Sequence, residues 1–143
     1  MEEQFRVMDF LYDKVYTDPK YKSIGAKIKG YVKAGELANE RGRYNLAYHC
    51  FGCASYFMKE SNLKLLSRKY QILAGDAAAR NGGDYYNQEA GYAYARAGNK
   101  DKLEAHLTRI GWNEEDIHPS TWMAHARFLA EENSGGQNGR PIL

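Results

Sequence analysis

The string His49-Cys50-Phe51-Gly52-Cys53 is the segment whose residue types and spacing could most readily do chemistry. Two thiolates separated by two residues can form half of a tetrahedral zinc site, or the two halves of a redox disulfide. A structural zinc site needs four ligands, and the other histidines supply no second closely spaced pair. A redox pair favours a helix N-terminus beside a strand, whereas Cys50 falls inside a predicted helix. We therefore expect Cys50 and Cys53 to be small core side chains, with no metal and no cofactor bound.

No arrangement of nucleophile, base and orienting acid is visible elsewhere in the sequence. The neighbouring carboxylates Glu114 and Glu115 follow Asn113, where capping and the helix dipole account for them. The chain has no glycine-rich phosphate loop after a strand, no His-Glu-x-x-His and no nucleophile elbow. We therefore predict that the protein is not an enzyme and has no catalytic residues.

A lysine-rich segment offers a second kind of chemistry, the binding of phosphates. It contains Lys20, Lys22, Lys27, Lys29 and Lys33, without an acid among residues 20–33, and tyrosines on which bases could stack. Lysines on the solvated side of an amphipathic helix are the simpler interpretation of the same pattern. A nucleic-acid-binding accessory subunit that uses this basic helix is the alternative function that the sequence supports.

The elements that must position these groups are helices, because apolar residues recur at intervals of three and four and strand-like alternation is absent. We predict helices over residues 2–16, 22–41, 44–60, 62–80, 85–97, 100–110 and 119–132, so the fold class is all-α with about six or seven antiparallel helices. Glycines follow four of them, at Gly42, Gly82, Gly98 and Gly111. Ser61 or Asn62 is expected to cap the fourth helix.

Length and composition are those of one globular domain. The chain has 143 residues, of which 43% are hydrophobic and 27% charged, and its formal net charge is +2. We assign residues 1–133 to a single helical domain and 134–143 to a flexible C-terminal tail. The opening MEEQFRVMDF lacks a continuous apolar core, and no stretch approaches the roughly 18 apolar residues that span a bilayer. We therefore expect a cytoplasmic protein that does not enter membranes.

Three segments of the chain share one pattern of small residues. Ala34–Gly42, Ala74–Gly82 and Ala90–Gly98 each begin with an alanine-glycine pair and place a second glycine seven residues after the first. A glycine inside a helix costs up to about 1 kcal/mol relative to alanine, which a helix tolerates where a neighbour must approach closely. We therefore predict that Gly35, Gly75 and Gly91 face neighbouring helices.

The chain resembles tetratricopeptide-repeat proteins, in which a 34-residue helical hairpin combines aromatic, small and glycine positions. The residues that carry this resemblance are Tyr31, Ala34-Gly35, Ala38, Gly42-Arg43-Tyr44, Ala47, Phe51 and Ala54, with a second match starting at Ala90-Gly91. The alanine-glycine pairs are 40 and then 16 residues apart, so the repeats are degenerate. The resemblance implies a right-handed superhelix of hairpins.

The resemblance also implies a binding groove along the first helix of each hairpin. The groove-facing positions would be Lys29, Glu36, Asn39, Lys69, Asp76, Arg80, Tyr92 and Arg96. Because this set is net basic, the expected partner is an acidic peptide or protein, held by arginine and lysine contacts. A third expectation is self-association as a homodimer, burying residues such as Trp112, Trp122 and Phe128.

Overall fold

The computed structural model describes residues 23–138, with side chains described as far as residue 133. The described part is all-helical and contains no strand. Its helices are α1 (Ile24–Glu40), α2 (Tyr44–Glu60), α3 (Lys64–Asn81), α4 (Asp84–Arg96), α5 (Lys100–Ile110) and α6 (Pro119–Asn138), with a 3₁₀ turn at Glu114–Asp116. The predicted helix at residues 2–16, Lys20, Lys22 and residues 139–143 lie outside the described residues.

Four helices end in the same hydrogen-bonded closure, which explains the regular recurrence of glycine. A residue in the left-handed conformation follows each helix, and the next backbone N–H donates to a carbonyl five residues earlier. The left-handed residues are Gly42, Asn62, Gly98 and Gly111. The closing bonds run from Arg43 to Ala38, Leu63 to Met58, Asn99 to Tyr94 and Trp112 to Leu107, at 2.8–2.9 Å. After the first three closures the next helix packs on the preceding one, whereas α5 and α6 both pack on α4.

The predicted cap of α3 is wrong. Leu63 precedes the helix, and no side chain caps its first turn. Ser61 and Asn62 instead belong to the closure of α2, where the Asn62 N–H donates to the Lys59 carbonyl at 3.0 Å. Asparagine is the residue other than glycine that most readily takes the left-handed conformation, and this preference decides its role here.

The last helix is longer than its predicted span. It begins at Pro119, as predicted, but continues beyond Glu132 to Asn138. The first five residues of the predicted tail are therefore helical. A flexible tail is the usual expectation for a terminal segment, yet no residue before Pro141 forbids the helical backbone.

The helices form a layered array. α1 packs on α2, α2 on α3, and α3 on α4, while α5 and α6 both pack on α4. A first core cluster, which includes Ala38, Ala47, Cys50 and Phe51, joins α1 to α2 and α3. A second cluster joins α3, α4 and α5 to Ile117 and Ala124 at the start of the C-terminal element. The described residues therefore bury adjoining small hydrophobic clusters rather than one large hydrophobic core.

A reciprocal pair of serines fixes α2 against α3. Ser55 Oγ donates to the Ser67 carbonyl at 2.7 Å, and Ser67 Oγ donates to the Ser55 carbonyl at 2.8 Å. Both side chains are buried, so their hydroxyls satisfy each other's helix backbone without water. The two helices must therefore lie close together at this level.

The predicted close contacts at the three helix-interior glycines are confirmed. A Cβ atom added at Gly35 would lie 2.6 Å from the Phe51 ring, and one at Gly75 would lie 2.8 Å from the Tyr94 ring. At Gly91 it would collide with Ile117, which precedes α6, and meet Leu103 of α5 at 3.3 Å. At Gly35 and Gly75 the contact is made by an aromatic ring of the helix that follows in the chain.

We predict that alanine at Gly35 or Gly75 destabilises the protein relative to alanine at Gly52. Gly52 also lies inside a helix, but a Cβ there meets nothing within 4 Å. Gly52→Ala should stabilise by up to about 1 kcal/mol through helix propensity alone. The free energies of unfolding of Gly35→Ala and Gly75→Ala should be lower than that of Gly52→Ala by about 1–3 kcal/mol, which is the usual cost of overpacking. Urea unfolding measures the difference, and equal stabilities for the three variants would contradict the close contact.

Candidate partner-binding groove

A cleft between α1 and α3 brings four of the predicted groove residues together. Its volume is about 370 Å³. It is lined by Glu36, Asn39 and Glu40 from α1, by Leu73, Asp76, Ala77 and Arg80 from α3, and by Phe51 from α2. Glu36, Asn39, Asp76 and Arg80 were predicted from the repeat pattern. We call this cleft the acidic end, because three carboxylates face one guanidinium.

A second cleft, between α3 and α5, adjoins the first. Its volume is about 580 Å³, and it is lined by Asp76, Ala79, Arg80, Tyr94, Lys102, Ala105, His106 and Arg109. Because Asp76 and Arg80 line both clefts, the two form one groove across α1, α3 and α5. We call the second cleft the basic end, since Arg80, Lys102 and Arg109 outnumber Asp76.

Asp76 is a fixed acceptor at the junction of the two ends. Tyr94 Oη donates to Asp76 Oδ1 at 2.6 Å, and Lys102 Nζ donates to the same oxygen at 2.9 Å. Burial raises the pKa of the Tyr94 hydroxyl, and its hydrogen bond to Asp76 raises that pKa further. The hydroxyl therefore stays protonated and keeps donating at physiological pH. The contact ties the groove surface to the ring that packs on Gly75.

His106 positions a guanidinium at the basic end. The imidazole is buried, with Nε2 at 2.9 Å from the Asn87 carbonyl and Nδ1 at 2.8 Å from Arg109 Nη2. Arginine can only donate, so Nδ1 accepts and Nε2 carries the proton. Burial lowers the pKa of His106, the Asn87 carbonyl opposes this, and the Arg109 charge lowers it further. A neutral imidazole therefore holds Arg109 at the groove wall.

Two further predicted residues lie beyond the clefts on the same helices. Lys29 precedes Glu36 by seven residues on α1, and Lys69 precedes Asp76 by seven on α3, so each shares a helix face with its partner. Lys69 Nζ lies 5.8 Å from the centre of the Tyr70 ring. Both lysines extend the groove face by two helical turns, outside the two clefts.

The structure does not bring Tyr92 and Arg96 to the groove. They lie on α4 and line a separate cleft with Lys59, Arg127 and Phe128, where the Arg96 guanidinium lies 5.5 Å from the Tyr92 ring centre. The reason is that α4 is the second helix of its hairpin. Its Ala-Gly pair has the same sequence as the pairs of α1 and α3, but α4 occupies a different position in the array.

Sequence reasoning missed the residues that α5 contributes instead. Lys102, His106 and Arg109 follow one another at intervals of four and three, which places them on one face of α5. This spacing is the signal in the sequence that identifies them. The alanine-glycine pattern does not identify them, because α5 has no such pair.

The basic helix of the alternative function is described from residue 23 onward. Lys29 and Lys33 are exposed on α1, and Lys27 Nζ lies 5.4 Å from the Phe57 ring centre. Tyr31 is 1% exposed and stacks on Phe57, with ring centres 6.0 Å apart. Its ring therefore cannot serve as a stacking platform for a base.

The cysteines and tryptophans take part in packing within the chain. Cys50 is fully buried in the first core cluster, which confirms its predicted core position, and Cys53 packs against a third cluster formed by Tyr31, Ala54 and Met58. No disulfide joins the two cysteines. Among the described residues, no group of three or more His, Cys, Asp or Glu side chains could hold a metal ion. Trp112 and Trp122 pack against the second cluster.

The C-terminal helix is held through Phe128. Its ring lies against Gly98, and the Arg68 guanidinium lies 4.6 Å from the ring centre while pairing with Glu132. Phe128 thus anchors α6 to the rest of the array. The expected self-association through Trp112, Trp122 and Phe128 remains a prediction.

Comparison with known proteins assigns no function to the chain, so a proposed function must be based on the groove. The chain matches no protein-family model, no curated protein and no solved structure. Of the helices in the described part, none combines the length and the apolar character that crossing a bilayer requires.

We predict that His106 makes the protein less stable in mild acid. Because its folded pKa lies below the ordinary value of 6.5, the unfolded chain binds a proton that the folded chain does not. The free energy of unfolding should therefore fall as pH drops from 7 through 6.5 towards the folded pKa. Partial burial lowers the pKa of His49 as well, so the comparison is between wild type and His106→Gln.

Urea unfolding at several pH values between 7.5 and 5 measures this dependence. The slope of stability against pH should be shallower in His106→Gln than in wild type. Parallel slopes would show that the His106 imidazole titrates alike in the folded and unfolded chain, which contradicts its proposed neutral state.

Proposed function

We propose that the protein is a non-enzymatic interaction module, which binds a peptide or protein segment in the groove across α1, α3 and α5. The observation that carries the proposal is the convergence of Glu36, Asn39, Asp76 and Arg80 in one groove. These residues come from α1 and α3, which α2 separates in the chain, yet all four line one cleft, and Asp76 and Arg80 also line the adjoining one. In this proposal the hairpins coil into a right-handed, tetratricopeptide-like superhelix, and the groove is its inner wall.

The shape and lining of the groove suit an extended segment better than a small compact ligand. Two adjoining clefts of about 370 and 580 Å³ form an elongated surface rather than one enclosed pocket. Phe51 and Leu73 form apolar parts of the lining at the acidic end, and polar side chains from α1 and α3 surround them. Such a surface can hold side chains of a peptide at successive points along its length.

Charge separation along the groove gives the bound segment a direction. Glu36, Glu40 and Asp76 against Arg80 leave a formal charge of −2 at the acidic end. Arg80, Lys102 and Arg109 against Asp76 leave +2 at the basic end. A partner with basic residues at one end and acidic residues at the other would be oriented by this field. We therefore expect the acidic residues of the partner to bind at the basic end, beside α5.

We also propose a cytoplasmic location for the module. An interaction module of this kind needs no oxidising compartment. A location test by fractionation is independent of the binding test below.

We predict that reversing the charge of Arg80 weakens partner binding by about tenfold or more. Arg80 is exposed and lines both ends of the groove, so Arg80→Glu removes a cation and adds a repulsive anion. Peptides selected from a random display library on the wild-type protein provide the ligands. Fluorescence anisotropy with wild type and variant then measures the change in Kd.

Arg96→Glu is the matched control, because it makes the same charge reversal at an exposed arginine on the opposite side of α4. It should leave the Kd within about twofold of wild type. Binding that survives Arg80→Glu but is lost in Arg96→Glu would place the partner on the other face. A library that yields no peptide would remove the support for a peptide groove.

A further inference from the structure

The basic end of the groove collects three cations from two helices around one open cleft. Arg80 comes from α3, while Lys102 and Arg109 come from α5. The Arg80 guanidinium carbon lies 5.9 Å from the Tyr44 ring centre, within the range of a cation–π contact. All three residues are exposed at the groove. The cleft between them is wide enough, at about 580 Å³, to admit a side chain of a partner.

The acid among the residues that line this cleft is already engaged. Asp76 Oδ1 accepts from Tyr94 Oη and from Lys102 Nζ, which uses one of the three ammonium protons. The side chain of Asp76 therefore neutralises one charge and fixes Lys102 in place. The residues that line the basic end keep a formal charge of +2, with Arg80 shared with the acidic end, which Glu36 and Glu40 also line.

Arg109 is held in position without being neutralised. Its Nη2 donates to His106 Nδ1 at 2.8 Å, and His106 is fixed in turn by the Asn87 carbonyl. One of five guanidinium N–H groups is used in this contact, so most of the planar donor fork remains available. The partner in the contact is a neutral imidazole rather than a carboxylate, so the full positive charge faces the groove.

We propose that the basic end binds a phosphate monoester, carried on a phosphorylated side chain of the peptide partner. The inference rests on the proposed function of the groove. A phosphate monoester carries a charge of about −1.5 to −2 near pH 7 and three acceptor oxygens, which match a +2 site with two guanidinium forks and an ammonium group. A carboxylate carries one negative charge and would leave the site partly uncompensated.

The test uses blocked amino acids as probes, so that no partner sequence is needed. N-acetyl phosphoserine amide, N-acetyl glutamic acid amide and inorganic phosphate are titrated separately into ¹⁵N-labelled full-length protein. The readout is the Nε–Hε resonances of the arginines. Phosphoserine should shift those of Arg80 and Arg109 saturably, with roughly tenfold higher affinity than glutamate, because it has about twice the charge.

Inorganic phosphate distinguishes the source of the anion. It should shift the same resonances more weakly than phosphoserine, because the groove also contacts the rest of the side chain. Inorganic phosphate binding as tightly as phosphoserine would overturn a phosphorylated side chain as the ligand. Shifts spread over all arginines without saturation, or equal affinity for glutamate and phosphoserine, would overturn the phosphate site itself.

Variants locate the site. Arg109→Gln and Arg80→Gln should each lower phosphoserine affinity by about fivefold or more, since each removes a charge-assisted donor pair. Lys100→Gln makes the same loss of charge on α5 but does not line the cleft, and it should leave affinity unchanged. Circular dichroism melting checks folding. If Arg109→Gln proves unstable, exposed Arg80 still decides the outcome, and an undiminished affinity in Arg80→Gln overturns the proposal.

Failure of this inference and failure of the groove function give different results. If unphosphorylated peptides bind at Arg80 and phosphoserine does not bind, the phosphate site is contradicted and the peptide-binding groove is supported. Saturable phosphoserine binding at Arg109, combined with no selected peptide, would support the anion site and sink the peptide groove.

Discussion

The whole array depends on an aromatic ring of one helix lying directly on a glycine of the helix before it. Phe51 occupies this position over Gly35, and Tyr94 occupies it over Gly75. A side chain at either glycine would collide with this ring, so the ring or the helix that carries it would have to shift. The contact therefore sets the separation of the helices within each hairpin.

The same rings connect the core to the groove. Phe51 lines the acidic end while packing on Gly35. Tyr94 packs on Gly75, and its hydroxyl donates to Asp76, which in turn accepts from Lys102. The positions of the charged groups thus follow from the packing beneath them. A small change in the separation of the helices would therefore move the Phe51 ring, the Asp76 carboxylate and the Lys102 ammonium group together.

Local sequence patterns predicted most of the helices because each end is determined locally. α2 and α5 begin and end at the predicted residues, and glycine closures mark three helix ends. The groove residues on α1 and α3 followed from their spacing around an alanine-glycine pair. The prediction failed at Tyr92 and Arg96, because Gly91 has the same local pattern but accommodates Ile117 from a loop. Only the tertiary path of residues 111–118 separates the two cases.

The most direct test of this account is a nuclear Overhauser measurement between glycine protons and aromatic rings. The account predicts strong cross-peaks from the Hα protons of Gly35 to the Phe51 ring and from those of Gly75 to the Tyr94 ring, with none from Gly52 to any ring beyond its own helix. Cross-peaks from Gly35 and Gly75 to water, without contacts to the two rings, would contradict it.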